Sequence, residues 1–79
     1  MSKHNWHIAR VNESPKKIRH YKFLTKMFDF VLRNPAMFKG RDLVIYDHNE
    51  KIRTVTYEVI AEIVSKNLKE TEVRKLIRR

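Results

Sequence analysis

Arg74, Lys75, Arg78 and Arg79 crowd the last six residues of the chain. At helical spacing they share one face, while Val73, Leu76 and Ile77 share the opposite one. An arginine guanidinium is a planar fork of donors that can grip a phosphate, or the major-groove edge of a guanine, with two bonds at once. A second basic series, Arg19, Lys22, Lys26 and Arg33, recurs along the stretch before Asn34, with Lys16 and Lys17 just ahead of it and Lys3 and Arg10 nearby. Only Asp29 interrupts it. Such a strip suits a polyanion tracked phosphate by phosphate, a salt-dependent attraction blind to sequence. Lys16, Lys17, Arg19, Lys22, Lys26, Arg33, Arg74, Lys75, Arg78 and Arg79 are therefore the candidate nucleic-acid contacts. The plainer alternative for both strips is a solvated helix face.

Two other clusters carry weaker chemistry. Trp6 lies between His4 and His7, and an aromatic near Lys and Arg can stack on a nucleic-acid base. An anchor at the edge of the core explains Trp6 at least as well. The two histidines lack a nearby carboxylate or cysteine to complete a metal site. The DHNE stretch, residues 47–50, contains Asp47, His48 and Glu50, yet turn geometry accounts for acids and asparagines there without catalysis. With no cysteine, one glycine and no phosphate-cradling loop, an enzyme is not expected, nor any cofactor or metal.

These groups sit on a chain of 79 residues, one domain by length, in which residues 1–4 are expected to be disordered. A domain this small buries only about 60% of its unfolded surface, so its stability margin is thin. The 42% hydrophobic share is too high for a disordered tail. No apolar run reaches membrane-spanning length and no signal-type segment follows MSKHN, so a cytoplasmic protein without a membrane partner is expected. Eighteen Lys and Arg against nine Asp and Glu leave a net charge of +9, which favours a polyanionic partner. The charge is polarised. Residues 1–26 hold seven bases and one acid, residues 42–62 two bases and five acids, and residues 63–79 six bases and two acids.

The positioning elements follow from local pattern. NWHIARV (5–11) alternates like a short strand. Ser14-Pro15 starts a helix, with Ser as N-cap and Pro at the first position, and Asn34-Pro35 ends it. On that 15–33 helix Ile18, Tyr21, Phe23, Leu24, Met27, Phe28, Phe30, Val31 and Leu32 span roughly 240° of the circumference. So wide a face needs cover on more than one side, and any remainder would meet a second copy of the chain or a partner. Phe23 and Phe30 flank the basic strip and are expected to stay uncovered; with Trp6 they form the candidate protein interface. AMFKG connects to strand 43–46, DHNE turns, and strand 51–56 completes a hairpin. Thr56 caps a helix over 57–67 with Val59, Ile60, Ile63 and Val64 inward and Glu58 and Glu62 outward. After a turn at 68–70 the last helix runs from Thr71. The fold class is a small α+β domain, order β-α-β-β-α-α.

The segment EVIAEIVSKN…EVRKLIRR resembles helix-turn-helix segments of bacteria and phages over about 22 residues. Ala61 stands where that motif keeps a small residue, the spacing from Ala61 to Val73 is about two residues longer than in its tightest form, and Ser65 or Lys66 replaces the usual turn glycine. The resemblance implies a DNA-binding transcriptional regulator or accessory factor of phage or mobile-element type, acting as a homodimer, with bases read by Arg74, Lys75 and Arg78. The competing expectation is a viral-type inhibitor or adaptor docking on an acidic protein. A third is an RNA-binding or ribosome-associated protein using the same charges, with DNA preferred over RNA.

Overall fold

The computed structural model describes residues 4–13 and 19–78; the expected Ser14-Pro15 helix start, Lys16, Lys17, Ile18, Arg79 and Lys3 lie outside that range. The chain forms β1 (Trp6–Arg10), α1 (Leu24–Arg33), α2 (Pro35–Phe38), β2 (Asp42–Asp47), β3 (Glu50–Thr56), α3 (Tyr57–Ser65) and α4 (Glu70–Ile77). The expected order is present, with AMFKG closing into one helical turn, α2, rather than a plain connector. Pro35 explains that turn, since its fixed φ suits the first helical position. Gly40 follows it at φ +77°, a conformation that costs glycine little.

The three strands form an antiparallel sheet with β2 in the centre. Trp6, Ile8, Leu43, Ile45 and Val55 face a core shared with Leu24, Met27, Phe28 and Val31 of α1, Ile60 and Ile63 of α3, and Val73 and Ile77 of α4. The hairpin is tighter than its sequence implied. Asp47 and Glu50 still pair as strand residues, leaving His48 and Asn49 as a two-residue turn with φ of 52° and 70°. Two positive φ values match the twist of the flanking strands. The register slips between Ile45 and Tyr46, so Ile52 is the extra residue of a β-bulge on β3. Behind the sheet His7, Ala9 and Val44 are buried as well.

α1 is shorter than expected. At Tyr21 the chain is extended, and its backbone exchanges hydrogen bonds with Trp6 in both directions, at 2.7 and 2.8 Å. That pairing covers the open edge of β1 and prevents helix across Tyr21. Arg19 and Lys22 therefore do not belong to a helical strip; of the four, Lys26 and Arg33 alone lie on α1. The wide apolar face is mostly covered within one chain. Leu24, Met27, Phe28 and Val31 are buried, each worth roughly 2 kcal/mol in transfer from water. Phe30, expected to be free, is half-buried between Tyr21 and Phe38, with ring centroids 6.0 and 5.8 Å away. Phe23 is 51% exposed, as expected.

Thr56 does cap α3, accepting a bond from Val59 N–H at 3.2 Å. Val59 itself turns outward, 44% exposed, against the inward placement its pattern suggested. The Tyr57 hydroxyl donates to Leu32 O, joining the start of α3 to the end of α1. α3 ends at Ser65 with Lys66 as C-cap, and Asn67 follows at a φ of 53°, the left-handed position that a glycine usually fills. Asparagine tolerates that region because its short side chain can bond locally.

Candidate nucleic-acid interface

The first turn of α1 has no capping side chain of its own, because Phe23 occupies the N-cap. Its free amides are satisfied from 46 residues away. Glu70, the first residue of α4, accepts from Leu24 N–H at 2.7 Å and from Thr25 N–H at 3.0 Å. A carboxylate there also complements the positive end of the helix dipole. The contact brings the two helix starts together, so Lys22 and Lys26 around α1 and Lys69 before α4 surround one corner of the molecule. All three are exposed and make no ion pair among the described residues. Phe23 is the N-cap of α1, between Lys22 and the first turn that carries Lys26. Two of the nearby acids are engaged, while Asp29, one turn on from Lys26, is exposed. Glu70 holds α1, and Glu72 accepts from Lys69 N–H at 3.2 Å. Neither Lys69 nor Glu70 stood out in the sequence, where both read as turn residues.

The basic face of α4 is not the open surface its pattern implied. Arg74 is half-buried, with its Nε enclosed and 3.8 Å from Glu70 Oε2. Arg78 extends toward the sheet, 3.9 Å from Asp47 Oδ2. The outermost residues of α4 are Thr71, Glu72 and Lys75. A recognition helix would thus present a carboxylate and one ammonium to DNA. Both α3 and α4 pack their buried residues into the core around α1, with Ala61 half-buried on α3.

Asp47 has a structural post. Its Oδ1 accepts from Asn5 N–H at 2.8 Å and its Oδ2 lies 2.9 Å from His4 Nδ1, which places His4 in an ordered contact rather than in a disordered tail. Burial works against ionising this carboxyl. The hydrogen bonds from Asn5 and His4, with the charges of His4 and His48, outweigh burial and hold its pKa below the ordinary carboxylate value. Trp6, counted as an interface residue, is fully buried and stacks under His4 with centroids 5.0 Å apart, so it cannot meet a partner. His7 is fully buried too. It stacks on Tyr46 at 5.0 Å and meets His20 edge-on at 4.6 Å, and neither ring nitrogen has a hydrogen bond. Desolvation first, then the neighbouring His20, lower its pKa against the opposing pull of Asn5 and Asp47.

Arg33 is exposed at the far end of α1, away from the Lys22–Lys26 corner. Arg10 is paired with Glu13. A crevice of about 200 Å³ between α1, α3 and α4, lined in part by Phe28, Ile63, Leu68 and Val73, is below the size of ordinary small-molecule sites. Among the described residues no group of three or more His, Asp or Glu could hold a metal ion, and no helix is long and apolar enough to cross a membrane. The chain matches no protein-family model, no curated protein and no solved structure, so its function has to be argued from the arrangement of these side chains.

Proposed function

We propose that this is a small nucleic-acid-binding protein that grips the phosphate backbone at the corner where α1 and α4 begin. The observation that carries the reading is the grouping of unpaired Lys22, Lys26 and Lys69 there, while Glu70 and Glu72 are engaged by backbone amides. Lys75 on the outer side of α4 and Arg19 before α1 extend the positive surface. Nine excess positive charges draw a polyanion from a distance. Base reading by α4 has weaker support than phosphate holding, because Arg74 and Arg78 are committed to Glu70 and Asp47. A regulator or accessory factor acting through backbone contacts fits this surface on DNA, and RNA offers the same charges.

Fluorescence anisotropy tests the reading, with random duplex DNA, single-stranded DNA and RNA titrated between roughly 50 and 300 mM salt. A log–log slope of about −5 or steeper on duplex, or about −4 or steeper on a single strand, is expected, corresponding to five or six neutralised phosphates. Weak binding to all three that disappears by about 150 mM salt would overturn it, and an acidic protein would then be the partner to seek.

A further inference from the structure

The corner contains an oddity that phosphate binding alone does not explain. The N-cap of a helix favours Ser, Thr, Asp or Asn, whose oxygen satisfies a free amide. Here the position holds Phe23, half of whose surface is open to solvent. The chain supplies the missing acceptor from Glu70. A local rule broken at an exposed site and compensated elsewhere marks a residue retained for something other than folding. The ring is also firmly based. Tyr21 is bonded to Trp6 on one side, and the Leu24 and Thr25 amides are bonded to Glu70 on the other. Its neighbours Lys22, Lys26 and Lys69 are cationic and unpaired. With Glu70 occupying the α1 amides, an arriving anion would be met by these ammonium groups.

Resting on the nucleic-acid reading above, we infer that Phe23 is a stacking platform for an unpaired base of single-stranded nucleic acid, with Lys22, Lys26 and Lys69 holding the flanking phosphates. A duplex has no free base face to offer a phenyl ring, because each base is covered by its neighbours in the stack. An unpaired base has one, and every base has a π-face, so the platform is tolerant of sequence. A purely acidic protein surface would satisfy the lysines and leave the exposed ring without a partner. Single-stranded nucleic acid supplies both chemistries, an open base face beside backbone phosphates.

The test compares the full-length protein with Phe23→Ala, Phe23→Trp and the pair Lys22→Ala/Lys26→Ala on labelled oligo-dT, oligo-rU and a mixed duplex of equal length. Thermal melts check that each variant is folded. Phe23→Ala should weaken single-strand binding about 5- to 100-fold, as the loss of one base–aromatic stack does. Its duplex affinity and its salt slope should hold, since every phosphate-binding cation is still present. Phe23→Trp should bind single strands at least as well as the parent. The lysine pair should instead flatten the salt slope by about 1.8 on duplex and about 1.4 on single strands. Equal losses on single strands and duplex in Phe23→Ala, or no loss, would overturn the platform while leaving backbone binding intact. Absence of all nucleic-acid binding by the parent at low salt would overturn both readings.

Discussion

Glu70 shows how much one side chain carries in a core this small. Both of its oxygens are bonded to the start of α1, and charge-assisted bonds to a helix N-terminus are among the stronger ones available to a carboxylate. Glu70→Ala leaves two amides and the Arg74 guanidinium without their partner. It should cost about 1–3 kcal/mol, read from the urea midpoint at unchanged slope. A loss below about 0.5 kcal/mol would mean that water replaces the cap. His7 and Asp47 act at different points on the acid side of the stability profile, and Glu13, held down by its bond from Arg10, adds to the lower one. The folded-state pKa of His7 is depressed, so the unfolded chain binds its proton more readily. Stability is full above the unfolded imidazole value of about 6.5 and falls as pH drops from there toward the lower folded value, by up to about 1.4 kcal/mol per pH unit. His7→Phe, which keeps the ring against Tyr46, should flatten that window in denaturation curves at pH 7.5 and 5. Asp47 is depressed as well, so its contribution is present above about 3.9 and is lost as pH falls through its folded value. Asp47→Asn should shrink the lower step, leaving the part due to Glu13, and keep the upper one in place.

At the scale of elements, the helices are defined less by their own sequences than by what meets their ends. α3 is the local case. Thr56 starts it and Asn67 turns the chain just after its end, both from residues adjacent in the chain. Asn67→Val forces a branched side chain into the left-handed region and should cost about 1–2 kcal/mol, measured by thermal or urea unfolding, whereas Asn67→Gly should be close to neutral. α1 is the non-local case. Ser14-Pro15, which reads as a helix start, lies outside the described residues; the backbone of Tyr21 is bonded across to Trp6, and α1 begins at Leu24, where Glu70 waits. The apolar pattern of residues 24–32 was therefore legible as a helix face, while its first turn was not. Val59 misled for a related reason. The helical wheel places it beside Ile60, but with the core side of α3 centred on Ile60 and Ile63, Val59 lies beyond its edge.

Over the whole molecule, an acid-to-base ratio of one to two is arranged so that several acids serve internal contacts and the cations remain outside. Lys69 is more than 40 positions from Lys22 and Lys26 in the chain, and the Glu70 contact brings its segment to theirs. Replacing all three by alanine should leave the melting temperature within a few degrees, since exposed unpaired charges contribute little to stability. The same change should reduce the salt slope of nucleic-acid binding by about 2.7 on duplex, near 0.9 for each phosphate that is no longer neutralised, and by about 2.1 on single strands. An unchanged slope would move the interface to another face, such as the one bearing Arg33 and Lys39.

The chain's own sequence determined the charge excess, the α+β class, the hairpin, the Thr56 cap and the basic character of both ends. Each of these depends on composition or on residues within a turn or two of each other, which periodicity and propensity register directly. Tertiary structure alone decided which cations are free. Arg74 and Arg78 share a helical face with Lys75 in any wheel, yet only packing against α1 and the sheet brings Glu70 and Asp47 within reach of them. Trp6 and Phe23 are both aromatics flanked by basic or imidazole side chains, and one is wholly buried while the other is half open. That difference comes from a strand facing the core in one case and a helix start at its rim in the other. No local pattern encodes it, because it depends on contacts between residues more than 40 positions apart.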